Sequence, residues 1–248
     1  MMSSNPYIQP ETPPAPVVPK RSWMTPVELL VVLSIILVLV GLLLPALSRG
    51  GGRQAARRVQ CKNNLKQIGI ALHQYRADFG CFPPTVTTAD DGTVMHSWRT
   101  LLLPYLDQKQ LYESIDLSRP WDDPVNSEAA RQYVSAYRCP SANGSAEQTT
   151  YLAVTGPGTF FPPPGPEQFD QPNGNISDVV MVIELDSAAA VSWMAPVDWV
   201  ADRTSDAEFP HSGGAHVLLG DGRVLYLTKD EVTANRLAMV EGRAITTD

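Results

Sequence analysis

The apolar residues of this chain fall into three kinds of run. The first is continuous. Residues 29–47 carry no charged side chain and follow directly on Thr25-Pro26-Val27-Glu28. About 20 apolar residues in a helix reach roughly 30 Å, the thickness of a bilayer's hydrocarbon core. The pattern therefore predicts one membrane-spanning helix near the N-terminus. Thr25 is placed to cap it. Pro26 takes the first helical position, where its missing N–H costs nothing, and Glu28 stands three residues beyond the cap. Towards the far end Pro45 would bend the rod, and Gly50-Gly51-Gly52 would loosen or break it.

The second run is periodic. Cys61, Leu65, Ile68, Leu72, Tyr75 and Phe79 recur at alternating intervals of four and three. That is one apolar stripe on an amphipathic helix over 53–79, with Arg57, Arg58, Lys62, Lys66 and Arg76 on its other faces. Such a stripe is expected to lie on a sheet. Gly80 and then Phe82-Pro83-Pro84 stop the helix. Further helical segments are predicted at 98–115, despite Pro104, and at 127–137.

The third kind of run is short and rich in β-branched residues. Residues 149–155, 179–185 and 189–194 read as strands. Residues 215–219 and 223–227 flank Gly220-Asp221-Gly222, which suits a tight hairpin turn. Between the strands, 156–174 is rich in proline and glycine and reads as a long loop. Thr228 with Glu231 repeats the capping box and opens a terminal helix to about residue 240. The order is helices first and an antiparallel sheet second, an α+β layout with helices covering one sheet face. It divides into a proline-rich leader (1–23), a transmembrane helix (24–48) and an α+β domain displayed on one side of the membrane (49–248).

Composition changes this picture little. The chain has 248 residues and a net charge of −7, with no basic stripe beyond 53–66, so no nucleic-acid partner is expected. Six of its 22 prolines fall in the first 19 residues, a leader that should be disordered or polyproline-like. Ala46-Leu47-Ser48 resembles a signal-peptide cleavage site, but the apolar run is too long for a signal core, so a retained helix is expected. Basic residues flank the run on both sides (Lys20 and Arg21; Arg49, Arg53, Arg57 and Arg58), so charge alone does not orient it.

The candidate chemistry is sparse. Three cysteines are present, Cys61, Cys81 and Cys139. A helix from 61 to 79 would hold the first two roughly 27 Å apart, far beyond the ~4.4–6.8 Å Cα separation of a disulfide. Any bridge must then use Cys139, with Cys61 or with Cys81; the remaining reading leaves all three free. No CxxC points to zinc or redox chemistry. His73 lies beside the helix stripe and reads as a packing residue. His211, His216 and Asp221 are the only set that suggests a cation, calcium-like in character. In a regular strand His211 and His216 would face opposite sides, and only a turn at Ser212-Gly213-Gly214 could bring them together. The plainer reading gives His211 a loop hydrogen bond and Asp221 a role in the turn. Glu184 and Asp186 alternate along one strand, and Asp198 and Asp202 lie in a following loop. No nucleophile motif or phosphate loop accompanies them, so an enzyme is not expected, and no cofactor is implied beyond that weak cation site.

Residues 27–47 and 55–72 resemble the N-terminus of type IV pilin-like proteins, and more specifically the DUF1559 family of prepilin-type proteins. Phe82-Pro83-Pro84, Ser97-Trp98-Arg99, Leu103-Pro104-Tyr105-Leu106, Arg138-Cys139-Pro140-Ser141 and His211 followed after nine residues by Asp221-Gly222 extend the resemblance over about 23–228. It implies a pilin-like fold, with a long helix packed on an antiparallel sheet. It also implies a single pass through the inner membrane with the C-terminal domain outside, and a structural role in a type II secretion or type IV pilus-like assembly. The implied partners are the bilayer, other pilin-like subunits, prepilin peptidase and the secretion machinery. By the same resemblance Glu28 would pair with the terminal amine of a neighbour after cleavage before Met24, Pro45 is the helix-bending proline, and Cys61–Cys139 is the fitting disulfide. The chain departs from the family at Trp23, where glycine normally precedes the cleavage point, and at Met24, where phenylalanine normally follows. A pocket shaped for no side chain would reject indole, so the alternative is a permanently anchored binding module that is neither processed nor polymerised.

Overall fold

A computed structural model describes residues 25–47, 51–156, 158–161, 176–200, 209–211 and 213–247, with the side chains of 42–47, 51, 200, 236, 237 and 240 left aside. The chain divides into two compact units, Met1–Gly50 and Gly51–Asp248. The leader, with Trp23 and Met24, lies outside the described residues, as does most of the loop expected over 156–174 and all of 201–208, including Asp202.

In the first unit, α1 (Pro26–Leu47) forms as its sequence predicts. The N-terminal box closes reciprocally. Thr25 N–H donates to Glu28 Oε2 at 2.8 Å, and Glu28 N–H donates to Thr25 Oγ1 at 3.3 Å. Two of the orphan donors of the first turn are thereby satisfied. Pro45 falls within α1. Among the described residues, no helix is long and apolar enough to cross a membrane.

The second unit starts with α2 (Gly51–Phe79). Gly51 and Gly52 are the first residues of α2; Gly50, where the expected break would begin, lies outside the described residues. The cost of a helical glycine, about 1 kcal/mol relative to alanine, is small beside the burial of the stripe that follows. Cys61, Leu65, Ile68 and Leu72 are completely buried, but Phe79, the last residue of the expected stripe, is 62% exposed. The stripe ends where the helix runs past the sheet.

That sheet has five strands in the order β7 (Trp199–Val200), β4 (Tyr151–Thr155), β5 (Val180–Glu184), β8 (Gly214–Leu219) and β9 (Val224–Thr228). All neighbours are antiparallel except β7 and β4, which run parallel. Every residue of β4, β5 and β8 is buried. Both sheet faces are therefore covered, a correction to the one-sided layout. Tyr151, Ala153 and Leu218 face the core beneath α2. Leu152, Val154, Val217 and Leu219 face a second core closed by α6 (Lys229–Val240) through Val232 and Met239. Strands buried on both faces read as unbroken apolar runs, which is why VVMVIEL shows no alternation.

The β8–β9 hairpin turns through Gly222 at φ +86°, a backbone that favours glycine. The Thr228–Glu231 box opens α6 at 2.7 and 3.2 Å. Two hairpin strands escaped the sequence reading, β1 (Val86–Thr88) and β2 (Val94–Ser97). A small ladder joins β3 (Gln148–Thr149) to β6 (Val191–Ser192).

The predicted helix over 98–115 is broken into α3 (Trp98–Leu101), a 3-10 turn (Leu103–Leu106) and α4 (Lys109–Glu113). Pro104 starts the turn and Asp107, at φ +57°, ends it; a non-glycine residue in the left-handed region cannot continue a helix. The 127–137 segment likewise reduces to α5 (Ser127–Ala130) and a 3-10 turn (Ser135–Tyr137).

Candidate functional site

The face of the sheet beneath α2 holds a group of polar side chains that its surroundings would not lead one to expect. Cys61 comes from the buried stripe of α2. Cys139 follows the turn Ser135–Tyr137. Glu184 ends β5, and His211 precedes β8. All four are buried, and one ligand-type atom from each lies within 4.8 Å of every other.

Each residue reaches this point for a local reason. Asn64, one turn along α2 from Cys61, donates to the carbonyl of Arg138 at 2.7 Å and so holds the Cys139 segment against the helix. Strand alternation places Glu184 and His216 on the α2 side of the sheet, since Ile183, Ala215 and Val217 face the opposite core. His211 arrives through the turn after it. Gly214 N–H donates back to His211 C=O at 3.1 Å, and Gly213 takes φ +93°. The chain reversal between His211 and Gly214 therefore does bring the two histidines to one place, with ring centroids 5.1 Å apart at 82°.

The centre is organised around the Glu184 carboxylate. Its Oε2 accepts from His216 Nδ1 at 2.8 Å and lies 3.3 Å from His211 Nε2. Among the described residues its buried Oε1 has no hydrogen-bond partner, and the same holds for His211 Nε2, which is not aligned to donate across that 3.3 Å. The sulfurs of Cys61 and Cys139 are 2.6 Å apart, and both residues are free thiols. Cys139 Sγ also accepts from Ser141 N–H at 3.3 Å. Burial pushes the Glu184 carboxyl up, but the favourable contacts of His211, His216 and Cys139 with the carboxylate outweigh it and bring it down to about 2. The Cys61 thiol is pushed up, first by its contact with Cys139 and then by burial. A cleft of about 140 Å³ opens beside the centre, lined by Gln54, Arg57, Arg58, Ser141, Pro210 and His211.

The other candidates fall elsewhere. Asp221 and Gly222 sit at the far end of β8 from His211. Six strand residues separate them, roughly 20 Å. Asp221 is held by its own turn, accepting from Arg223 N–H at 2.9 Å and from the Arg223 guanidinium, which also bridges to Asp178. His211 and Asp221 are thus not brought together. Cys81 is exposed and apart from the other two cysteines. Asp186 caps a 3-10 turn by accepting from Ala188 N–H at 3.0 Å. His73 packs edge-on against Phe82 at 5.5 Å. The sequence reading missed Glu184 as a partner of these residues. The available signal was a lone carboxylate inside the apolar run VVMVIEL, because an ionised group is almost never buried without a partner.

A family model described as "Protein of unknown function (DUF1559)" matches residues 51–178. That segment takes in Cys61, Cys139 and, of the five-stranded sheet, β4. No curated protein and no solved structure matches the chain.

Proposed function

This chain belongs to the DUF1559 family, and we propose that it is a membrane-anchored, pilin-like structural subunit. In this reading α1 is the anchor and assembly helix, and 51–248 is the displayed head. Its action is assembly and display rather than catalysis.

The observation that carries the reading is the surface of α1. Its large apolar side chains, from Val27 to Val40, are between 40% and 71% exposed. Burying one such side chain is worth about 1.5–3 kcal/mol, so a dozen of them in water would outweigh the ~5–15 kcal/mol stability of a whole domain. A helix that is apolar all round belongs inside a bundle or a bilayer. In sequence the uncharged run continues to Leu47, about the length of a membrane span. The resemblance of Glu28 and Pro45 to pilin positions, and an amphipathic helix lying on an antiparallel sheet, support the same reading. The bound state of the Glu28 carboxylate, already engaged by Thr25 N–H, favours the alternative of a permanently anchored binding module.

Alkaline carbonate extraction of membranes, followed by N-terminal sequencing and cross-linking, tests this. The expected result is a chain that stays with the membrane, begins at a methylated Met24 and cross-links to further copies. An intact Met1 leader without cross-linking would select the binding module. A chain released by carbonate would overturn both readings.

A further inference from the structure

We propose that Cys61, Cys139, Glu184 and His211 form a structural zinc site that ties α2 to the sheet. The proposal stands apart from the anchor reading, because every residue in it belongs to the second unit.

Zinc takes four ligands from thiolate sulfur, imidazole nitrogen and carboxylate oxygen, with bonds of about 2.3, 2.0–2.1 and 2.0–2.2 Å. The four side chains supply that donor set, two sulfurs, one nitrogen and one oxygen, already gathered within 4.8 Å. They come from four separate parts of the chain, so one ion would cross-link α2, the Cys139 segment, β5 and the start of β8.

Two competing states can be told apart by what they leave unsatisfied. A Cys61–Cys139 disulfide would use the sulfurs and nothing else. It would leave Glu184 Oε1 and His211 Nε2 buried without partners, as they are among the described atoms. A buried carboxylate oxygen in that condition is expensive. Zinc accounts for both atoms and for the two sulfurs together. A tetrahedral zinc holds two sulfurs about 3.8 Å apart, so binding must open the pair from its 2.6 Å separation. His216 then has a defined place. Its Nδ1 donates to Glu184 Oε2 at 2.8 Å, the second hydrogen bond that orients a ligating carboxylate. The cleft lined by Arg57, Arg58 and His211 provides an entry path. Its basic rim suits a centre in which three anionic ligands meet a dication.

Full-length protein, purified in detergent under reducing conditions and loaded with zinc, gives the test. The expected result is about one zinc per chain by elemental analysis. Cobalt substitution should add sulfur-to-metal charge-transfer absorption. Cys139→Ser and His211→Ala should lose the metal, whereas His211→Cys should keep it, which separates ligand loss from misfolding. His216→Ala, a positioning change, should weaken zinc binding about 10–100-fold. Asp221→Ala should leave zinc content unchanged. Retention of less than a tenth of an equivalent, or a Cys61–Cys139 disulfide that reforms in the presence of excess zinc, would overturn the proposal. Neither result would bear on membrane anchoring.

Discussion

Arg99 and Asp198 form a buried ion pair at 3.0 Å, with side chains 0% and 3% exposed. Arg99 Nη2 also donates to Val197 C=O at 2.8 Å, and its Nη1 to Ser97 Oγ at 2.9 Å. Asp198 accepts in addition from Ala153 N–H at 2.8 Å and from Trp98 Nε1 at 3.1 Å. The pair therefore locks the Ser97-Trp98-Arg99 segment to β4 and to the segment entering β7. Removing one partner of such a pair leaves the other charge buried and uncompensated.

Asp198→Ala is accordingly expected to destabilise the second unit by about 3–5 kcal/mol, read as a fall in the urea midpoint. The double change Arg99→Met with Asp198→Leu should cost less than the single one, because no unpaired charge remains. A single-mutant loss below about 1 kcal/mol would mean that water reaches the pair.

Asn64→Ala should cost about 1–3 kcal/mol by leaving the Arg138 carbonyl without its donor. It should also free the Cys139 segment from α2. The check is the alkylation rate of Cys139, which should rise relative to the wild type while that of exposed Cys81 stays constant.

His96 is 1% exposed, and among the described residues neither of its buried ring nitrogens has a hydrogen-bond partner. Burial pushes its pKa below the ordinary value of 6.5, against a smaller upward pull from the carbonyls of Arg119 and Leu117. The folded state therefore holds the neutral ring, while the unfolded state takes up a proton below about 6.5. Stability is complete above that pH and is lost as pH falls through the window beneath it. His96→Phe should flatten this part of the profile, measured as unfolding midpoints at about pH 8 and about pH 5. An unchanged slope would assign the acid sensitivity to other groups.

Thr228→Ala removes the hydroxyl that accepts from Glu231 N–H at 3.2 Å. Loss of such a cap costs about 1 kcal/mol. The loss should appear in thermal unfolding and in faster amide exchange in the first turn of α6, with the exchange of β5 unaffected.

Local rules carried the reading of this chain wherever a single element decides the outcome. The Cys61–Leu72 spacing is a property of one helix, the Asp221-Gly222 turn of one hairpin, and the two capping boxes of one helical turn each. All four are visible in a few consecutive residues. The helix expected over 98–115 failed for the opposite reason. Pro104 and the left-handed Asp107 divide it into short pieces. Phe79 failed in the same way, because where a stripe stops being covered depends on the extent of the sheet.

The sequence by itself determined that an apolar N-terminal helix precedes an amphipathic one, and that both lead into an antiparallel sheet. Those features follow from the 3.6- and 2-residue periods of side-chain direction, which need no knowledge of distant neighbours. Only the tertiary structure decided that Asp198 belongs to Arg99, and that Glu184 stands among Cys61, Cys139, His211 and His216. Their partners lie dozens to more than a hundred positions away in the chain. What brings them together is the requirement that a buried charge find its complement, and that requirement acts on the folded interior rather than on any stretch of sequence.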